Sequence, residues 1–173
     1  QEMIYNYLGA RADFVDRMQR DGSDLVEIAN PMSENYAVVR DSSLPNLLAS
    51  EAASANAAFP HRVFEVGKAA RRDAAENTGS RTVTLLGALV ADREAGFNDI
   101  DAHVLALCWY LGLEATVAPV DDPRFIPGRA AAILVAGRRV GVMGEVAPAV
   151  LERWGIEMPC AAAEIVLDEL PGS

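Results

Sequence analysis

Residues 26–48, VEIANPMSENYAVVRDSSLPNLL, restrict the fold more than any other stretch. They open with Val26-Glu27-Ile28-Ala29, which alternates with the period of a strand that buries one face. Asn30-Pro31 stops that strand, because proline has no N–H for a sheet ladder and restricts the residue before it. A second extended run follows at Tyr36-Ala37-Val38-Val39-Arg40. Asp41, Ser42 and Ser43 then place capping oxygens ahead of Leu44-Pro45, and proline suits a first helical turn. From Leu44 the residues Leu47, Leu48, Ala52, Ala55 and Phe59 recur at helical spacing. The segment therefore predicts strand, tight loop, strand and a docking helix.

The rest of the chain reads in the same terms. Residues 1–7 alternate Met3, Tyr5 and Tyr7 on one side and predict a strand, and residues 12–18 a short helix. The abrupt start, without methionine, predicts a piece cut from a longer protein. Residues 21–24 form a turn. Residues 61–67 predict a strand with Val63 and Glu65 on one face and Phe64 and Val66 on the other. Residues 68–80 are polar and aperiodic, a long loop or hairpin tip. Residues 82–90 predict a central strand covered on both faces. Asn98, with Asp101 three residues on, predicts the cap of a helix whose buried stripe is Ile100, Val104, Leu107, Cys108 and Leu111, stopped at Gly112. Residues 114–120 predict a strand, 121–128 an irregular segment, and 130–146 a hairpin turning at Gly137-Arg138. Pro148 opens a short helix ending at Gly155, and residues 162–167 form the last strand. Hairpins with a few amphipathic helices predict one α+β domain, an antiparallel sheet flanked by helices.

At 173 residues such a domain buries about two-thirds of its surface. No apolar run reaches the roughly 20 residues that span a bilayer. Cys108 and Cys160 are far apart and read as buried free thiols of a cytoplasmic protein. No cysteine or histidine spacing suggests a metal. The formal net charge is −10 and Lys68 is the sole lysine. Acid-rich, lysine-poor surfaces suit a high-salt cytoplasm, which screens their self-repulsion. The same charge argues against this chain as the main contact for a phosphate backbone.

Five runs, in order, resemble the β subunit of phenylalanine–tRNA synthetase of the archaeal and eukaryotic type. They are residues 26–48; FPHRVFEVG from Phe59 to Gly67; TGSRTV from Thr78; FIPGRAA from Phe125; and Gly144-Glu145 through Gly155-Ile156-Glu157-Met158-Pro159. Together they are spread over residues 26–159. The resemblance implies a class II aminoacyl-tRNA synthetase-like sheet and the C-terminal catalytic-like module of that subunit. It also implies an α subunit as partner in an α2β2 enzyme, tRNA(Phe) reached through the whole enzyme, and ATP and Mg used by the parent enzyme with no cofactor in this module. On these runs Asn30, Pro31, Arg40, Glu65, Gly67 and Glu145 are candidates for structural or interface roles.

Amino-acid activation builds charge on a transferring phosphoryl group, which positioned cations stabilise. The resemblance implies two places to look for them. Gly67-Lys68-Ala69-Ala70-Arg71-Arg72-Asp73 looks like the end of the catalytic subunit's first arginine-bearing element, so Arg71 and Arg72 are either a surviving phosphate-binding pair or solvated charge. The second, glycine-rich element has no counterpart: AAAEIVLDEL, residues 161–170, holds neither glycine nor arginine, and no cation follows Arg153. Leu85-Leu86-Gly87-Ala88 lacks the polar groups that hold an ammonium. No nucleophile accompanies His61 or His103 in a local motif, and the glycines of residues 137–144 are spaced as in a hairpin. Arg40 suits a buried ion pair or a partner contact. Glu145 suits a buried carboxylate, a backbone acceptor or a partner contact. These readings lead to a synthetase-like module without catalytic residues, with a small-molecule-binding or regulatory paralogue as the alternative.

Overall fold

The computed structural model describes residues 7–54 and 56–172. The strand expected over residues 1–7 falls almost wholly outside them, as does Ala55. Two antiparallel sheets carry the fold. A small one has the order β1-β3-β2, from Leu8–Gly9, Val38–Val39 and Val26–Glu27. The main, six-stranded sheet has the order β4-β5-β9-β8-β7-β6. Its strands are β4 (His61–Arg72), β5 (Ser80–Ala91), β6 (Ala115–Pro119), β7 (Phe125–Val135), β8 (Arg138–Val146) and β9 (Cys160–Val166). The described residues also form four α-helices: α1 (Arg11–Phe14), α2 (Leu44–Ala53), α3 (Phe97–Tyr110) and α4 (Pro148–Trp154).

The two sheet faces are covered differently. On one, Leu44, Leu47 and Leu48 of α2 and Val150, Leu151 and Trp154 of α4 pack on Leu89, Val142, Val146 and Ala162. On the other, Ile100, Val104 and Cys108 of α3 pack on Val90, Ile133, Met143 and Ile165. The first pair of helices leaves one end of its face open, and the polar residues described below gather there.

Several sequence expectations shift. The second extended run shortens because Tyr36 ends a 3-10 turn, Glu34–Tyr36, that Ser33 caps through its hydroxyl. α2 stops at Ala53, so Phe59 packs from the following loop instead. α1 is shorter than residues 12–18 and gives way to turns. The polar stretch after Gly67 is a hairpin tip only over residues 73–79: Lys68–Arg72 extend β4, paired through Arg72↔Ser80, because a cross-strand ladder overrides the missing periodicity. β5 is buried on one face and half-buried on the other. α3 begins two residues before Asn98's expected first turn, with Gly96 as N-cap and its N–H donating to Asp99. Leu111 is exposed, so the stripe narrows to Ile100, Val104 and Cys108. The β7–β8 turn falls on Ala136-Gly137, at φ of 51° and 76°, a left-handed pair that matches the strand twist. β7 starts early, at Phe125, with a register shift before Ala130.

Other expectations hold. Phe64 and Val66 face out while Glu65 faces in. Gly112 and Gly155 end α3 and α4 at φ of 70° and 71°, the left-handed region that glycine enters freely. Both cysteines are buried and free.

Candidate functional site

At the open end of the α2/α4 face, strands β4, β5, β9 and β8 align Glu65, Gly87, Glu164 and Val142 across the sheet. Cross-strand neighbours point to the same side, so two carboxylates project into a partly apolar setting. Glu164 is 5% exposed and Glu65 1% exposed. Buried charge costs several kcal/mol per ion unless it is paired and hydrogen-bonded; Glu164 is hydrogen-bonded and Glu65 is paired with Arg40, while Glu65 Oε2 has no hydrogen-bond partner among the described residues.

Glu164 Oε2 accepts from Ser42 Oγ at 2.7 Å, Ser43 N at 2.7 Å and Ser43 Oγ at 3.0 Å. It thus binds the N-terminus of α2 from a strand more than a hundred residues later, where a negative charge also meets the positive end of the helix dipole. The hydroxyls of Ser42 and Ser43, expected only as local caps, donate to this distant carboxylate. Gly87 makes the approach possible: a Cβ there would fall 2.8 Å from Ser43 Cβ and 3.0 Å from Leu47 Cδ1, and nearer still to Ser43 Oγ.

Arg40 pairs with Glu65, and its Nε donates to Lys68 O at 2.6 Å. The guanidinium lies against Gly67, where a Cβ would also come 2.7 Å from Glu65 Oε1. Three predicted residues, Arg40, Glu65 and Gly67, thus form one unit. Burial pushes the Glu65 carboxyl above its ordinary range, and the charge and hydrogen bond of Arg40 only partly offset that.

Two further pairs close the face. Arg20 Nη1 donates to Asp41 at 3.0 Å. Arg124 holds Asp122 with two bonds, Nε to Oδ1 at 2.9 Å and Nη2 to Oδ2 at 2.6 Å, and stands 4.0 Å from Glu164 Oε1. Burial favours the neutral form of each group, but the pairing wins: Asp122 stays below and Arg124 above its ordinary value. A charged cavity of about 430 Å³ opens above these pairs. Arg71 and Arg72 line it, as the sequence allowed. Arg72 donates to Leu25 O at 3.1 Å. The Arg71 side chain has no hydrogen bond or ion pair with another described residue.

The remaining predicted residues lie elsewhere. Asn30 and Pro31 are exposed in the loop after β2. Glu145 accepts from the Phe97 N–H at the start of α3 at 3.1 Å and from Arg129 at 2.6 Å, which makes it a backbone acceptor. His61 packs on Phe59 and bonds Glu51 at 2.9 Å; His103 is exposed. Sequence reasoning missed Arg20, Asp122, Arg124 and Glu164. One signal existed for the last: it is the only charged residue in CAAAEIV, an otherwise apolar strand.

Groups that stabilise a transition state must point at the place where charge develops. Here Arg20, Arg40 and Arg124 point at carboxylates of their own chain. Among the described residues no group of three or more His, Cys, Asp or Glu is arranged to hold a metal ion.

The family profile described as "Phenylalanyl tRNA synthetase beta chain CLM domain" matches residues 2–167. The chain belongs to that family. A relative from Borrelia garinii subsp. bavariensis, named phenylalanine–tRNA ligase beta subunit, is 42% identical over 170 residues, 98% of this chain and 30% of its own length. One of the same name from Treponema pallidum subsp. pallidum is 46% identical over 165 residues, 95% of this chain and 27% of its own length. This CLM-family chain therefore spans under a third of those relatives. They are bacteria, so they lend no support to the archaeal, high-salt source read from type and charge. No helix among the described residues of the CLM-family chain is long and apolar enough to cross a membrane.

Proposed function

We propose that this chain is the C-terminal, catalytic-like module of a phenylalanine–tRNA ligase β subunit, with a class II synthetase-like sheet and no chemistry of its own. It supports an α subunit that activates phenylalanine with ATP and Mg and charges tRNA(Phe), in an α2β2 enzyme of the cytoplasm. The observation that carries this reading is the inward pairing of the site: Arg20 with Asp41, Arg40 with Glu65, and Arg124 with Asp122. Such pairs rigidify a face and leave its buried cations no charge to offer a nucleotide. Family membership and the antiparallel sheet flanked by helices agree with it. So does the outer face of α3, where Trp109 is 73% and Tyr110 80% exposed, an apolar surface of the kind that partners cover.

The test is co-purification with the α subunit from the same organism, together with calorimetry of this chain alone against ATP and phenylalanine. A stable complex and no heat of binding are expected. The charged cavity beside Arg71, whose side chain has no partner among the described residues, favours one other reading, a small-molecule-binding or regulatory paralogue on the same fold. Tight ATP or phenylalanine binding by the isolated chain would establish that reading and refute the first.

A further inference from the structure

A second groove, of about 810 Å³, lies on another part of the molecule, between the β5–α3 turn, the start of β7 and helix α4. Its floor is apolar, built by Ile126, Val146, Leu151 and Ile156. Pro148 and Pro159 stand in its walls, and such restricted backbone lowers the ordering cost of binding. Its rim is charged and uneven. Glu94, Glu145, Glu152 and Glu157 face Arg93 and Arg129, four negative charges against two positive. Arg129 is tied to Glu145, which leaves three glutamates against Arg93. Glu94, Glu152 and Glu157 are exposed, and their side chains make no hydrogen bond or ion pair with another described residue.

We infer that this groove is a docking site for a protein segment that seats apolar side chains between Ile126 and Ile156 and carries lysine or arginine beside them. The uneven rim selects that occupant. Nucleic acid and anionic lipid would bring negative charge against a rim whose three remaining glutamates outnumber its one remaining arginine. A second copy would do the same, because the chain has one lysine and a formal net charge of −10. A segment with apolar residues flanked by cations satisfies floor and rim together. The proposal is independent of the α-subunit reading: peptide binding that fails while co-purification succeeds removes the groove alone.

The experiment follows backbone amide shifts of the isotope-labelled 173-residue chain during titration with three capped peptides, Lys-Leu-Leu-Lys, Glu-Leu-Leu-Glu and Lys-Ser-Ser-Lys. The first should shift amides of residues 93–96, 126–129 and 145–159 saturably and bind about tenfold more tightly than either other, since it alone matches both parts of the site. Added salt should weaken it. The pair Glu152→Lys and Glu157→Lys should reverse the preference between the first two peptides. Glu94→Lys, in the exposed turn, tests the same point if the pair does not fold. Shifts that map elsewhere, equal binding of the three peptides, no saturable shift at millimolar peptide, or indifference to charge reversal would each overturn the proposal.

Discussion

Replacing Glu164 by alanine tests the central claim that one strand carboxylate fixes α2 to the sheet. The side chain is 5% exposed and receives three hydrogen bonds from Ser42 and Ser43. Its removal leaves the Ser43 N–H and two hydroxyls without their acceptor and takes a negative charge from beside Arg124. Truncating one partner of a buried charged network costs about 3–5 kcal/mol. Arg124 keeps Asp122, which places the loss toward the lower end. For a chain of this size that is a fall in Tm of roughly 6–20 °C. Glu164→Gln keeps an acceptor and should cost about half as much, as a neutral bond replaces charge-assisted ones. The assay is urea denaturation, with an unchanged slope and a lower midpoint showing a loss of stability. A double-mutant cycle with Ser43→Ala should return a coupling of about 0.5–3 kcal/mol. If Glu164→Ala costs less than about 1 kcal/mol, or the cycle shows no coupling, the carboxylate does not fasten the helix and the reasoning is wrong.

Other outcomes follow from the same face. Gly87→Ala should destabilise by about 1–3 kcal/mol through overpacking, since its Cβ would meet Ser43 and Leu47; unchanged thermal unfolding would contradict the close approach. Arg40→Met should cost about 3–5 kcal/mol by stranding Glu65, and Glu65→Gln should recover part of that in the same variant, as measured by chemical denaturation. Glu65 and Asp122 make opposite contributions to stability against pH. Glu65's raised folded pKa binds protons more tightly than the unfolded chain, so its contribution is full below 4.5 and is lost as pH rises through the raised value. Asp122's depressed folded pKa gives a contribution that is full above 3.8 and lost as pH falls through the depressed value. Unfolding midpoints of the Glu65→Gln and Asp122→Asn variants across that range should therefore diverge from the parent in opposite directions.

Local chemistry made much of this molecule legible before any coordinates. The β7–β8 hairpin, the proline-opened α2 and α4, and the glycine stops at Gly112 and Gly155 follow from backbone preferences that act over a few residues. The Arg40 ion pair was also foreseeable, because an arginine at the end of an apolar strand needs a partner. The extent of β4 was not. Lys68 to Arg72 lack any strand pattern, and only the ladder with β5 extends them. The partners of Glu164 were equally hidden, for 121 residues separate it from Ser43.

The sequence alone determined the α+β composition, the order of most elements and the absence of any cation after Arg153. It also carried the five runs on which the family resemblance was read. Tertiary structure decided what the buried charges are for. Folding brings Glu65, Glu164, Asp41 and Asp122 to one face with Arg20, Arg40 and Arg124, and a charge taken out of water is held there only by whatever lies within a few ångströms. That distance is set by sheet register and by the room at Gly67 and Gly87, and neither is written in the local pattern of residues.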